Sequence, residues 1–234
     1  MSTLATIPLS PVTPSTAPSG PSEERGVMRN VSWNFYNRLT DAIGERSSIR
    51  LAFDGKDVEI MVIGGRHESL GDLLNVFVNE VCDGLDLDFH GLGSMTLKRD
   101  DFERGIEADL SYCFDPERIA RCRAAVAGGY KDRAAYPIPD LAIKIDISPP
   151  EIDRSEIYGK LRAAELWRLS NDAVSIEHLD AGGNYVRVDS SQFLHVRADE
   201  VTQWLLDGAS EKRTAWKRRI LNWARAELRP RAGT

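Results

Sequence analysis

The sequence predicts a mixed α/β fold built around one hydrophobic core, and three patterns carry that prediction. Apolar residues recur at helical spacing from Leu70 to Leu85, and alternating apolar and polar residues form a hairpin pattern over residues 49–62. The same alternation returns over residues 141–147. A length of 234 residues, with 42% hydrophobic and 28% charged residues, is typical of a globular chain with one sizeable core.

The remaining elements alternate between helices and strands along the chain. Ser32 is placed to cap a helix over 33–43, which Gly44 would end. Asp54 and Gly55 supply the turn of the hairpin. Further strands are predicted at 87–89, 95–97, 106–114, 166–169, 174–178 and 185–188, and shorter helices at 116–126 and 154–161.

Three segments differ in composition. Residues 1–26 hold five prolines among Ser, Thr and Gly, and we expect disorder there because such a segment buries too little apolar surface. Residues 27–196 form the predicted α/β domain, and residues 197–234 a C-terminal helical segment. Residues 210–234 contain eight Lys and Arg against two Glu, so this tail carries +6 in a chain of net charge -6.

Composition also excludes several classes of protein. No stretch approaches a membrane-spanning helix or a secretory leader, so we expect a cytoplasmic protein with no membrane partner. An odd number of cysteines without CxxC spacing predicts reduced, structural thiols. His90, His178 and His195 lack metal-ligand spacing, so neither a zinc site nor a small-molecule cofactor is expected.

Two predicted strands carry charged residues at alternate positions. Glu107 and Asp109 share one face of the first strand, and Asp140, Lys144 and Asp146 share one face of the second. If the strands are neighbours, four carboxylates and one ammonium converge, which suits a divalent cation with oxygen ligands. The alternative is that these are solvated residues on the exposed face of an antiparallel sheet.

Eight short segments, spread over about 31–180, occur in a recognisable order. They are Val31-Ser-Trp33, Val58-Glu-Ile-Met61, His67-Glu68, Gly91-Leu-Gly-Ser94, Gly105-Ile-Glu-Ala-Asp109, Pro139-Asp-Leu141, Ile157-Tyr158 and Glu165-Leu-Trp167. In this order they resemble the Uma-type family of restriction endonucleases, a branch of the PD-(D/E)XK superfamily. The resemblance implies a restriction-endonuclease-like core, with a central mixed sheet flanked by helices, and a metal-dependent enzyme that hydrolyses phosphodiester bonds in DNA.

The resemblance also implies a set of site residues. The family holds its metal with the acid of the Glu-x-Asp segment and a Glu on the strand after Pro-Asp-Leu, assisted by a helical Glu upstream. Those positions are Asp109, Lys144 and Glu68 here, and Lys144 departs from the pattern because a protonated ammonium cannot ligate a metal. Our hypothesis is that Asp109 and Asp146 bind Mg²⁺ or Mn²⁺, Lys144 contacts the scissile phosphate, and Glu68 positions water or the ion.

Two other functions stay open beside a homodimeric DNA endonuclease. A catalytically inactive protein with the nuclease fold could serve as a nucleic-acid-binding or interaction module, and an enzyme acting on RNA fits the same residues. His67 is interpreted as a helix cap or surface residue, and it is left out of the catalytic set.

Three basic residues are candidate nucleic-acid contacts. Arg154 lies on a short predicted helix before Tyr158, and Lys217 and Arg218 lie beside the helical tryptophan stripe of the C-terminal segment. The alternatives are a surface ion pair for Arg154 and, for the tail, tryptophans that pack on the domain or a second subunit while the basic residues stay solvated.

Overall fold

The computed structural model describes residues 23–44, 48–129 and 135–232. They form a mixed α/β structure with two sheets, as the sequence predicted at the level of fold class. In chain order the elements are β1 (Glu23–Met28), α1 (Trp33–Ile43), β2 (Ile49–Phe53), β3 (Val58–Ile63), α2 (Gly65–Leu85), β4 (His90–Gly91), β5 (Met95–Arg99), β6 (Arg104–Ala108), β7 (Leu110–Cys113), α3 (Pro116–Ala127), β8 (Leu141–Asp146), α4 (Arg154–Leu161), β9 (Glu165–Ser170), β10 (Ala173–Leu179), β11 (Tyr185–Val188), α5 (Ala198–Ser210), α6 (Arg213–Trp223), a π-helical turn (Ala224–Leu228) and α7 (Arg229–Ala232).

The two sheets share a crossing point at Asp109. The first sheet is antiparallel with the order β1-β3-β2-β6-β5, and the second has the order β11-β10-β9-β8-β7-β4 with β8 and β9 parallel. Between β6 and β7 the chain passes from the first sheet to the second, and the Asp109 N–H donates to Ile143 O at 3.0 Å. The prediction of one unbroken strand over 106–114 was therefore wrong, because its two halves pair with different sheets.

Local signals in the sequence placed several elements correctly. The Ser32 hydroxyl accepts a hydrogen bond from Phe35 N at 3.2 Å, and α1 ends at Gly44, whose φ of 71° suits glycine. The hairpin of β2 and β3 is confirmed, with Phe53 opposite Val58. The strand predicted at 87–89 was wrong, since strand pairing begins at His90, in the two-residue strand β4.

Strand β8 is buried on both faces. Ile143 and Ile145 face the long helix α2, where they join a cluster that includes Leu74, Phe77 and Val78. On the opposite face, Ala142 packs with residues of α4. All six residues of β8 are buried, as expected for a strand with a parallel neighbour and a helix over each face, so the solvent-exposed alternative for its charged residues is wrong.

The C-terminal segment belongs to the main core. Trp216 of α6 is fully buried, and its indole N–H donates to Trp204 O at 2.9 Å. Gly84 of α2 allows the close approach of the π-helical turn, since a Cβ at that position would lie 2.5 Å from the Cβ of Ala224. The alternative in which the tryptophans pack on the domain is confirmed for these residues.

Strand β1 begins inside the segment predicted to be disordered. Its six residues pair antiparallel with β3, from Glu23 opposite Ile63 to Met28 opposite Val58. The prediction of disorder was therefore wrong for residues 23–26, and residues 1–22 lie outside the described part of the chain. Within the described ranges, none of the helices combines the length and the apolar character needed to cross a membrane.

Candidate functional site

The predicted metal-binding aspartate lies in a buried ion pair. Lys144 Nζ lies 2.8 Å from Asp109 Oδ2, and the Ile145 N–H donates to the same oxygen at 2.8 Å. On the other oxygen, Oδ1, His67 Nε2 lies at 3.0 Å and Arg50 Nε at 3.5 Å. Lys144 is only 1% exposed. We call Asp109, Lys144, His67 and Arg50 the lysine centre.

Four elements bring the lysine centre together. Asp109 stands at the crossing between the sheets, beside β8, because β7 pairs antiparallel with that strand. Lys144 lies on the face of β8 opposite Ile143 and Ile145, as the period of two requires. His67 lies in the first turn of α2, and Arg50 comes from β2. The site is therefore assembled from residues far apart in the sequence.

Burial and pairing act in opposite directions on Asp109. Burial alone raises the pKa of the Asp109 carboxyl, but the Lys144 ammonium and the contact with His67 outweigh it and hold that pKa below its usual range. Burial also lowers the pKa of the Lys144 amine, and the attraction of Asp109 opposes this only in part. Arg154 adds to the lowering, so the lysine centre is coupled to the cations that surround it.

A second buried group adjoins the first through Asp146. Arg25, on β1, donates to Glu59 Oε1 at 2.7 Å, to Glu23 Oε1 at 2.6 Å and to Asp146 Oδ1 at 2.8 Å. Arg154 donates to Asp146 Oδ1 at 2.5 Å and to Glu59 Oε2 at 2.9 Å. We call these five residues the arginine centre, in which two guanidinium groups are shared among three carboxylates.

Arg154 is therefore a buried residue and not a surface cation. It is 3% exposed, and within the described part of the chain its ion-pair partners are Glu59 and Asp146. Burial lowers the pKa of its guanidinium, but Asp146 and Glu59 outweigh that effect and raise it. Arg154 is thus an ion-pair partner, as one sequence-based interpretation proposed, but it is buried and not at the surface, and in this conformation its guanidinium is not exposed to phosphate.

The arrangement of donors does not fit the predicted Mg²⁺ site. The oxygens of Asp109 are directed at Lys144, the Ile145 N–H and His67, and Oδ1 of Asp146 accepts from two guanidinium groups. A hard cation needs such oxygens free, together with water in its shell. Among residues 23–44, 48–129 and 135–232, no group of three or more His, Cys, Asp or Glu side chains is arranged to hold a metal ion.

Two neighbouring residues in α2 exchange the roles that the sequence suggested. Glu68, the predicted assistant, is exposed, whereas His67 is buried against Asp109. The prediction of a surface or capping role for His67 was wrong. Its spacing from Leu70 and Leu74, three and seven residues later, places it on the buried face of the helix, so the helical period contained the signal.

The other two acids of the predicted cluster have separate partners. Asp140 precedes β8, and its carboxylate accepts from the N–H groups of Phe114 and Asp115 at 2.7 and 2.9 Å. It also pairs with Arg118 at 2.7 Å, so it fixes the loop after β7. Glu107 pairs with Arg50 at 3.5 Å. The predicted convergence of four carboxylates therefore holds only in part.

Within the described residues, four of the eight cations of the basic tail pair with acids of the same chain. Lys217 Nζ lies 2.8 Å from Glu80 Oε1, and Arg218 is exposed. Arg213 pairs with Asp72 and Arg231 with Glu200, and the second of these contacts is 2.8 Å long. Acids of α2 and α5 thus neutralise several of the tail's cations. The Lys217 ammonium is therefore held beside α2 at the surface of the domain.

No family model matches this chain, and no curated protein matches it. The resemblance to the Uma-type family therefore stays a prediction that depends on the eight ordered segments, and the activity of that family is carried to this chain only as a proposal.

Proposed function

We propose that this chain is a PD-(D/E)XK-type protein in which a buried lysine takes the place of the catalytic metal, and that it is a catalytically inactive interaction module. The main support for this proposal is the 2.8 Å contact between Lys144 Nζ and Asp109 Oδ2, two side chains that are buried away from solvent. An ammonium at that distance already supplies the positive charge that the aspartate needs, so a metal ion would have to displace it.

The arginine centre supports the same proposal. Asp146, the second ligand of the predicted metal, is held by Arg25 and Arg154. Two guanidinium groups and one ammonium already contact the carboxylate oxygens of Asp109 and Asp146, and a hard cation needs such oxygens free. A Mg²⁺ ion would therefore have to displace these cations from both carboxylates, and we propose no hydrolytic step at this site.

The charge distribution favours a protein partner over a nucleic acid. The chain has a net charge of -6, and Lys217, Arg213 and Arg231 pair with acids of the same chain. Binding to a polyanion depends on free cations that replace counterions along the backbone. The endonuclease alternative instead requires DNA binding. Cleavage of both strands would also suit a homodimer.

The test is incubation of supercoiled plasmid with the purified protein and Mg²⁺ or Mn²⁺, beside an EDTA sample and the Asp109→Ala variant. We expect no metal-dependent nicking and no Mn²⁺-dependent rise in the melting temperature. Nicking that requires both the metal and Asp109 would overturn the proposal and establish the endonuclease. Tight DNA binding without nicking would mean that the partner of the inactive module is a nucleic acid and not a protein.

A second variant tests the role of Lys144 without relying on activity. Lys144→Glu places a carboxylate beside Asp109, and the repulsion between them is relieved by a divalent cation. We expect Mn²⁺ to raise the melting temperature of this variant. Lys56→Glu makes the same change in net charge at an exposed position and should show no such rise. Equal responses of the two variants to Mn²⁺ would contradict the proposal.

A further inference from the structure

Strand β1 is held to the domain mainly by hydrogen bonds and charges. It lies at the edge of the first sheet, and within the described residues it pairs with β3 alone. Glu24, Gly26 and Met28 are exposed, and Val27 is only half-buried. Because apolar burial supplies most of the free energy that keeps a strand in place, β1 has the features of a segment that opens locally.

Two charged side chains connect β1 to the interior. Arg25 reaches Glu59 and Asp146 of the arginine centre, and its Nε donates to Ser148 Oγ at 2.7 Å. Glu23 Oε2 accepts from the Ser148 N–H at 2.8 Å. Arg25 and Glu23 thus both fix the loop after β8, and they cover the arginine centre on the side where β1 lies.

We propose that β1 is a strap that opens as a local unit, with Arg25 as its lock, and that its release exposes the Arg154 guanidinium and the carboxylates of the arginine centre to solvent. The inference goes beyond the proposed function, because it holds whether or not the lysine centre binds a metal. β1 also lies outside residues 31–180, where the family resemblance is found, so it is an addition to the part of the chain that resembles a nuclease.

The charge balance makes opening feasible. Release of β1 withdraws one positive charge, Arg25, and one negative charge, Glu23, so the net charge of the arginine centre is unchanged. Arg154 still contacts both Glu59 and Asp146, and neither carboxylate is left without a cation. The open state therefore avoids the cost of an unpaired buried charge, which is the usual obstacle to breaking a buried ion pair.

Two backbone amides distinguish local opening from global unfolding. The Ser148 N–H donates to the Glu23 carboxylate on β1, whereas the Ile145 N–H donates to Asp109 within the lysine centre. Native-state hydrogen exchange, followed by NMR at rising urea concentration, reports both. We expect Ser148 to exchange together with the amides that pair β1 with β3, through an opening that leaves Ile145 protected.

A tethered variant tests the strap in an otherwise unchanged site. Glu24 and Val62 are exposed and directly opposite each other on β1 and β3, so Glu24→Cys with Val62→Cys can be joined by oxidation with oxidised glutathione. The oxidised tether should slow exchange at Ser148, and reduction should restore it. Modification of Arg154 by phenylglyoxal, detected by peptide mass spectrometry, should slow in parallel because the strap controls access.

Removal of the lock should act in the opposite direction. We expect Arg25→Met to accelerate exchange at Ser148 by about a hundredfold, since it leaves three carboxylates with one guanidinium, and to leave Ile145 nearly unchanged. Arg29→Met removes a neighbouring pair with Asp57, in which the arginine side chain is 56% exposed, and should change neither amide. If Ser148 and Ile145 exchange at one common rate in the wild type and the tether slows neither, β1 opens only on global unfolding and the proposal is overturned.

Discussion

Lys144 and Asp109 form an ion pair in which both side chains are almost fully removed from water, with 2.8 Å between Nζ and Oδ2. Such a pair contributes little net stability compared with a well-packed apolar pair, but the loss of one partner leaves a buried charge uncompensated. The energetic asymmetry between breaking the pair and replacing it gives the first prediction.

Lys144→Met and Asp109→Asn should each lower the free energy of unfolding, by about 3–5 kcal/mol for the lysine variant, because a charged or polar partner remains buried. The double variant should cost much less than the sum of the two single changes. Urea denaturation of the four proteins measures this coupling. Lys56→Met, at an exposed position, is the control and should stay within about 0.5 kcal/mol of wild type. Additive single effects would show that the two residues do not act as a pair.

Acid should destabilise the protein in part through Asp109. Burial raises the pKa of this carboxyl in the folded state, but the Lys144 ammonium and His67 outweigh burial, so the folded-state pKa is lowered. As the pH falls, the unfolded state therefore binds the proton before the folded state does. Its contribution is fully present above the unfolded pKa of about 4 and is lost as pH falls through the lower folded pKa. The stability difference between wild type and Asp109→Asn should therefore shrink below about pH 4. Parallel stability curves between pH 2 and 6, measured by urea denaturation, would count against this account.

Gly84→Ala should destabilise the contact between α2 and the π-helical turn. The added Cβ would lie 2.5 Å from the Cβ of Ala224, and overpacking of this kind costs about 1–3 kcal/mol, which exceeds the gain in helix propensity. Gly71→Ala in the same helix meets only Ile145 Cδ1 at 3.6 Å and should stabilise by up to about 1 kcal/mol. Thermal and urea unfolding compare the two, and Ala224→Gly should restore the Gly84→Ala variant.

The C-terminal segment should behave as part of the domain core. Trp216→Ala removes a fully buried ring and should cost about 3–5 kcal/mol. Arg218→Ala, two residues later on the exposed side of α6, should change the free energy of unfolding by less than about 0.5 kcal/mol. A small loss for Trp216→Ala, measured in urea, would mean that the segment folds independently of the domain.

Local signals predicted much of the secondary structure. The Ser32 cap, the Gly44 terminus, the Asp54-Gly55 turn and the apolar period of α2 each act within a few residues, so their consequences could be derived from the chain alone. The segment 106–114 is one exception, because its apolar residues alternate without a break and so conceal the change of sheet at Asp109. Strand pairing depends on distant partners, which periodicity does not identify.

The candidate site was predicted in its residues but not in its arrangement. The sequence singled out Asp109, Lys144 and Asp146, and all three lie in the buried charge centres. It gave no indication that Arg25 would reach Asp146, because Arg25 lies in a segment whose composition predicts disorder and is 121 residues away. It interpreted His67 as a helix cap or surface residue, although the helical period places it on the buried face of α2.

The sequence by itself determined that the chain forms a mixed α/β core and that charged residues, Lys144 among them, alternate with apolar residues along β8. Only the tertiary structure decided that these charges are buried and matched. Strand β8 is buried because α2 and α4 cover its opposite faces. Its charged side chains find partners because β1, β3 and the crossing at Asp109 lie beside it. Water screens a charge on an open sheet, whereas a buried charge needs a partner from elsewhere in the chain, and the fold alone supplies that partner.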